Sequence, residues 1–297
     1  MDEGVVSDPT WPAPAKINLF LHVLGRRTDG YHLLQTAFQF LNLCDELQFT
    51  LRDDGRILRR ADYGGVPETG DLVVRAASAL RAAAGISGGV EIKIHKRVPM
   101  GGGLGGGSSN AATTLVALNE LWQAGLSERQ LLGIGLTLGA DVPVFIAGHA
   151  AWAEGVGEHL TPIDPPEDWF LVVHPGIQVS TAGVFQHPEL TRNTPAITIR
   201  AFLKGGGAND CEAVVRMMHP EVGAALDWLR QYGDARLTGT GACVFLRCAT
   251  ARDAERVRDD LPAHLRGFVV QGCNRSPLRD RLRRCEGSAG ASGSATG

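Results

Sequence analysis

Lysine is scarce in this chain of 297 residues: Lys16, Lys93, Lys96 and Lys204 are the only four. Arginine carries the rest of the positive charge, so each lysine becomes worth locating against the motifs. An excess of either charge sign is absent too. The 29 basic and 32 acidic side chains leave a formal net charge of −3, so no overall field draws the chain to nucleic acid. Any anionic ligand has to be held by local groups. The six cysteines form no CxxC pair and the histidines no HExxH, which removes the sequence support for a structural zinc site or a disulfide framework. Long apolar runs are missing as well, the longest uncharged one (142–153) being well short of the roughly 20 residues of a membrane-spanning helix. The opening MDEGVVSDPTW lacks the basic start of a secretion signal. These absences predict a cytoplasmic protein with reduced thiols and with neither a membrane nor a nucleic-acid partner.

With 44% hydrophobic and 21% charged residues the composition is that of a packed globular protein, and the length suits two domains. Residues 16–24 alternate, with Ile17, Leu19, Leu21 and Val23 on one face and Lys16, Asn18, Phe20 and His22 on the other, the pattern of a strand. A turn is expected over Gly25–Gly30, a strand over 46–51 with RDDG turning it into a paired strand, and a helix over 71–84. Residues 90–98 alternate again and run into MGGGLGGGSSN. Beyond it Ala111, Leu115, Leu118 and Leu121 keep helical spacing, and Ser127 with Gln130 form a capping box for a second helix that Gly139 ends. From Trp169 the order is a strand (WFLVVHP), helices near 209–218 and 220–232, a strand over RLTGTGACVFLRC, a Thr-capped helix over 250–261 and a buried strand from Gly267, an α+β layer. The expected domains are 1–157 and 158–284, with a disordered tail over 285–297, where no apolar periodicity remains.

The strongest chemical signal is Gly101–Gly107, six glycines in seven positions. Without Cβ atoms such a backbone can wrap an anion with its amides, and Ser108, Ser109 and Asn110 are placed to cap the helix that follows, whose N-terminal dipole favours negative charge. Gly103→Val is accordingly expected to abolish nucleotide binding while moving the ligand-free melting point little. The cluster contains GxGxxG, but a second helix follows where a dinucleotide fold needs a parallel strand, and the lysine of a Walker loop is absent. Asp141, in GADVPVF, reads by itself as a helix cap, and Lys16 as an exposed strand lysine. The tract 236–245 places a second glycine-rich turn before a strand in the C-terminal half, which suggests a ligand held between two domains. GISGG at Gly85 has the spacing of a nucleophile elbow, but the segment after it is a strand rather than a helix.

Three tracts together, PAPAKINLFLHVLGRRTDGYH, PMGGGLGGGSSNAA and LTGTGACVF, resemble the three motifs of the GHMP small-molecule kinases. The resemblance runs from about Trp11 to Leu282. It implies a two-domain α+β fold, the N-terminal domain like the second domain of ribosomal protein S5 and the C-terminal domain ferredoxin-like. PAKINLFL, DGYH and GADVPVF narrow it to the branch that uses ATP to phosphorylate the 2-hydroxyl of a cytidine-diphosphate-linked methylerythritol, on the non-mevalonate route to isoprenoid precursors. By that resemblance ATP, with Mg²⁺, would lie on Lys96, Pro99, Met100, Gly101, Gly102, Gly103, Leu104, Gly105, Gly106, Gly107, Ser108, Ser109 and Asn110. Asp141 would be the catalytic base, with Lys16 beside it to stabilise the charge in transfer. Asn18 would contact the acceptor, Tyr31 and Phe185 would stack on its cytosine, His32 would hydrogen-bond it, and Val156 and Thr181 would belong to the same pocket. Asp71 stands where the family more often has Asn near the adenine. No glutamate ligand for Mg²⁺ can be placed, which leaves Ser108 or Ser109 to touch the metal. Two other readings stay open: a GHMP kinase for a different alcohol, and an RNA-binding module suggested by the ribosomal fold but opposed by the net charge.

Overall fold

The computed structural model describes residues 10–61 and 70–283; the expected disordered tail falls outside them. Strands β1 (Trp11–Arg26) and β2 (His32–Arg52) form a long antiparallel hairpin. Its turn is closed by Arg27 N donating to Tyr31 O, 2.7 Å, and by Tyr31 N donating to Asp29 Oδ1, 3.1 Å. Pairing in β1 shifts between Pro14 and Lys16, between Asn18 and Phe20, and between Val23 and Gly25. A bulge re-aims the side chains that follow it, so Phe20 joins Ile17 and Leu19 in one buried cluster while Leu21 and Val23 join another. The expected alternation over 16–24 is corrected accordingly. Every residue from Lys16 to Val23 is buried, the lysine included.

Strand β2 is 21 residues long, where the sequence pattern points to a strand only over 46–51. It has partners on both edges: β1, β4 (Gly89–His95) and β5 (Ala151–Gly155). The expected hairpin across RDDG does not form. The next strand, β3 (Ile57–Ala61), lies beyond β4 and parallel to it, because β4 occupies the edge of β2 over 46–52. Helix α1 (Leu72–Ala84) makes the crossover that a parallel pair requires. It packs with α2 (Gly106–Leu121), α3 (Glu128–Leu138) and α4 (Val142–Ala147) over a core that includes Phe40, Phe49, Leu80, Ile92, Leu115 and Phe145. The capping box of Ser127 and Gln130 starts α3 as expected. The apolar run 142–153 divides at Gly148, in left-handed backbone, into α4 and β5. A short hairpin then pairs β5 with β6 (His159–Pro162).

The second half contains β7 (Trp169–His174), β8 (Ala235–Leu237), β9 (Val244–Cys248) and β10 (Arg266–Cys273) in the order β10-β7-β9-β8, all antiparallel. Helices α5 (Thr181–Gln186), α6 (Ile199–Leu203), α7 (Glu212–Met218) and α8 (Pro220–Arg230) come between β7 and β8, and α9 (Ala251–Asp259), capped by Thr250, comes between β9 and β10. With α7 and α8 as its first helical layer, this is the β-α-β-β-α-β arrangement of a ferredoxin-like fold. The single strand expected over RLTGTGACVFLRC is corrected to two, because Gly239 and Gly241 adopt positive φ and 238–243 leave the sheet as a loop. Gly272 and Cys273 of β10 register with Leu41 and Phe40 of β2, so the two halves share a sheet. Between them Leu104, Val98, Phe170, Phe245 and the β1 residues Ile17, Leu19 and Phe20 form a third apolar cluster. Among the described residues, no helix is long and apolar enough to cross a membrane.

Candidate active site

Where the halves face each other a cavity of about 1000 Å³ opens, walled by β1, the start of β2, the glycine loop, α5 and the 238–243 loop. Its size is at the upper end of the roughly 300–1,000 Å³ common for small-molecule sites. Of the residues expected to bind ligands, all but Ser109 line it. The Ser109 hydroxyl is fully buried without a hydrogen-bond partner, because α2 begins earlier than expected. Gly105, at φ 72°, is the N-cap, and both serines fall inside the first turn and a half instead of capping it. No side chain caps this helix, so its first amides are open at the cavity wall.

Lys16 is the hub. Its Nζ donates to Asn18 Oδ1 (2.7 Å) and to Gly103 O (3.1 Å) and pairs with Asp141 Oδ2 (3.2 Å). Those three partners match the three donors of an ammonium group and fix its direction. Asp141 does sit at the N-cap of α4, but its side chain makes no capping bond. The carboxylate is turned to Lys16 and remains about one-third exposed to the cavity, at 35%. Periodicity alone could not show this meeting of β1 with the α3–α4 junction, which only the family resemblance implied. Asn18 is itself held at both ends of its amide, with Oδ1 on Lys16 and Nδ2 donating to Thr36 Oγ1 at 2.9 Å. One amide N–H is left to face a ligand. Thr238, whose hydroxyl accepts from the Asn18 backbone N at 2.9 Å, lies in the singled-out tract 236–245, whereas Thr36 carries no sequence signal that would have marked it.

The glycines of the loop have two different tasks. Gly101 and Gly102 accept backbone bonds from Ala242 N (3.2 Å) and Cys243 N (3.1 Å). At Gly103, with φ +73°, a Cβ would stand 2.5 Å from Thr238 O and 2.9 Å from Gly241 O. Three glycines thus let one loop dock on the other, and the expectation that Gly103→Val would leave the ligand-free protein intact is corrected. Gly107 is different: it is exposed in the first turn of α2, and a Cβ there meets only Leu72 Cδ1, at 3.7 Å. Lys96 lines the cavity but its Nζ is tied to the fully buried carboxylate of Asp45, which also accepts Arg97 N (2.7 Å) and Val98 N (2.8 Å). Asp45 anchors the passage from β4 into the glycine loop. An acid in the middle of the apolar tract LNLCDELQF was the one signal for it. Asp71 accepts Val73 N at the start of α1 (2.8 Å) and pairs with Arg59 on the cavity rim.

At the other end of the cavity Tyr31 is 64% exposed. The His32 ring stacks on Phe185 with centroids 5.1 Å apart and planes at 28°. Its pKa is lowered, first by burial and then by the charges of Arg192 and Arg26. Thr181, at the start of α5, shares a hydroxyl–hydroxyl bond of 2.9 Å with Thr240, and Val156 closes the wall from the β5–β6 turn. No group of three or more His, Cys, Asp or Glu side chains gathers for a metal among the described residues. The oxygen donors at the loop include the Ser108 hydroxyl and the Asp141 carboxylate, both on the cavity wall. That set suits a hard cation carried largely by a ligand's phosphates and water.

Residues 71–149 match the GHMP kinases N terminal domain family, and 192–267 match GHMP kinases C terminal. A curated 4-diphosphocytidyl-2-C-methyl-D-erythritol kinase from Nitrosococcus oceani is 57% identical over 274 residues, which span 92% of this chain and 98% of that protein. A crystal structure of 4-(cytidine 5'-diphospho)-2C-methyl-D-erythritol kinase aligns with a TM-score of 0.78 at 34% identity, over 89% of this chain and 99% of that one. A homoserine kinase from Cytophaga hutchinsonii, at 16% identity and a TM-score of 0.64 over 93% of this chain and 98% of its own, shares the fold alone.

Proposed function

The chain belongs to the GHMP kinases, and within that family we propose that it transfers the terminal phosphoryl group of ATP to the 2-hydroxyl of 4-diphosphocytidyl-2-C-methyl-D-erythritol. The products are ADP and the 2-phosphate, a cytoplasmic step on the non-mevalonate route to isoprenoid precursors. The observation that carries this reading is the Lys16–Asp141 pair, set between the open start of α2 and the aromatic end of one cavity. Phosphoryl transfer needs positioning and charge neutralisation more than covalent help. The amides of the glycine loop and the α2 N-terminus hold the ATP phosphates. Asp141 takes the proton of the acceptor hydroxyl as its oxygen bonds to the γ-phosphorus and the bond to the β-phosphate oxygen breaks. Lys16 keeps Asp141 aimed and offsets the charge that develops between them. The Ser108 hydroxyl would help to hold a Mg²⁺ ion carried by the ATP phosphates and water, which would supply further charge neutralisation. Tyr31 and Phe185 give aromatic faces to the cytosine and His32 its ring nitrogen.

A coupled ADP assay over a panel of acceptors tests the reading. Phosphorylation of methylerythritol without its cytidine diphosphate, at the same efficiency as the full acceptor, would overturn it. Tyr31→Leu removes one stacking face, worth roughly 1–3 kcal/mol per base, and should raise the acceptor KM on the order of 10- to 100-fold with the KM for ATP unchanged. Tyr31→Phe should cost little. Because Tyr31 is mostly exposed, neither variant should disturb the fold. For the nucleotide end, Gly107→Ala should raise the KM for ATP on the order of 10-fold, about 1.4 kcal/mol. Its ligand-free Tm should hold or rise, since Ala is the better helix former. An unaltered ATP KM would move the phosphates away from the first turn of α2.

A further inference from the structure

Next to His32, but outside the residues that line the cavity, stands a residue that the proposed reaction does not use. Arg192 donates from Nε to His32 Nε2 at 3.1 Å. Its Nη1 reaches Pro188 O (3.4 Å) and Leu190 O (3.0 Å), and its Nη2 reaches Phe185 O (2.9 Å) and His187 O (2.8 Å). A guanidinium has five N–H donors and no acceptor, and stays protonated at any working pH. All five of these donors are engaged, so the group cannot turn away, and the nitrogen it meets on His32 must present a lone pair. In a neutral imidazole the proton then sits on the other nitrogen. Burial and the nearby charges of Arg192 and Arg26 keep the ring in that neutral form. Nδ1 makes no hydrogen bond to another described residue, and the ring lines the cavity with its plane fixed against Phe185.

We propose that Arg192 is a positioning residue that selects the base of the acceptor: by holding His32 as its Nδ1–H tautomer it presents a donor to a ring nitrogen that accepts, as N3 of cytosine does, and opposes one that donates, as N3–H of uracil does. The inference rests on the cytidine-bearing acceptor of the proposed function. Without Arg192 the imidazole is free to exchange its two tautomers, and the discrimination between the bases falls because either nitrogen character becomes available. The five-donor geometry also explains why a single arginine both closes the end of α5 and governs a ring on β2.

The test has two readouts. ¹⁵N NMR of the ligand-free wild-type protein should show His32 protonated at Nδ1, and Arg192→Ala should move the proton toward Nε2. In parallel, kcat/KM is measured for the cytidine-linked acceptor and its uridine-linked analogue. Arg192→Ala should reduce the preference for cytidine by on the order of 10-fold or more, the loss expected when a buried donor no longer decides between partners, with the ATP KM unchanged. A merely structural role would weaken both acceptors equally, and that outcome overturns the proposal. So does a wild-type His32 protonated at Nε2, a measurement that stands whether or not the variant folds. A wild type that phosphorylates neither acceptor overturns the acceptor assignment itself, and the selection with it, while the imidazole spectrum still reports the tautomer separately.

Discussion

Asp141→Asn is expected to lower kcat by about 10²- to 10⁴-fold, the usual contribution of a positioned base, while leaving the fold and ATP binding in place. The substitution is nearly isosteric and keeps an oxygen for Lys16. Because the carboxylate makes no capping bond to α4 and is 35% exposed, little of the fold depends on its charge. Lys16 retains Asn18 Oδ1 and Gly103 O, so the ammonium is not stranded. The stability cost should stay near that of a partly exposed ion pair, about 1 kcal/mol, a shift of about 2–4 °C in Tm for a chain of this size class. Single-turnover kinetics with saturating ATP, alongside a thermal scan with and without nucleotide, separate the two quantities. Activity within a few-fold of wild type would reduce Asp141 to a tether for Lys16.

Gly103→Ala should act in the opposite way, on the protein before any ligand arrives. The residue is left-handed, which costs a Cβ-bearing side chain roughly 1–2 kcal/mol. Its new methyl would also sit 2.5 Å from Thr238 O, a backbone atom that cannot swing aside. Adding an overpacking cost of about 1–3 kcal/mol gives a loss near 3 kcal/mol and a fall in Tm of about 6–12 °C. Gly107→Ala, four residues on, is the matched control with no such fall. A ligand-free Gly103→Ala protein that melts with the wild type would mean that the two glycine loops do not dock as described.

Much of the cavity lining was legible because it is written in short contiguous tracts. The glycine loop, the capping box of Ser127 and the strand–loop–helix order each follow from local chemistry, and the three tracts identify the family. What stayed illegible is what depends on distant partners. Residues 35–41 of β2 carry no clean alternation because both their faces and both edges are covered. The break of the strand pattern at Phe20 comes from a bulge that only the partner strand reveals. Glycines at 101–103 look alike whether they meet a phosphate or a backbone, and only the 238–243 loop distinguishes them. Arg192 and Asp45 sit in tracts with no motif, and their importance arises from what they touch.

The docking of the two glycine loops also has a bearing on how the protein is made. A ribosome delivers β1, β2 and the Gly101–Gly107 loop long before Thr238–Cys243, and segments generally begin to fold in order of synthesis. Until the later tract emerges, Gly101 O and Gly102 O lack the amides of Ala242 and Cys243, and Asn209 has neither the Leu237 nor the Gly239 carbonyl that its Nδ2 holds in the finished chain. The edge of β2 that takes Gly272 and Cys273 stays open longer still. A nascent or prematurely terminated chain that already contains Lys16, the whole glycine loop and Asp141 is therefore expected to be inert toward ATP. Catalytic competence arrives late in translation, with residues that touch neither the proton nor the phosphorus.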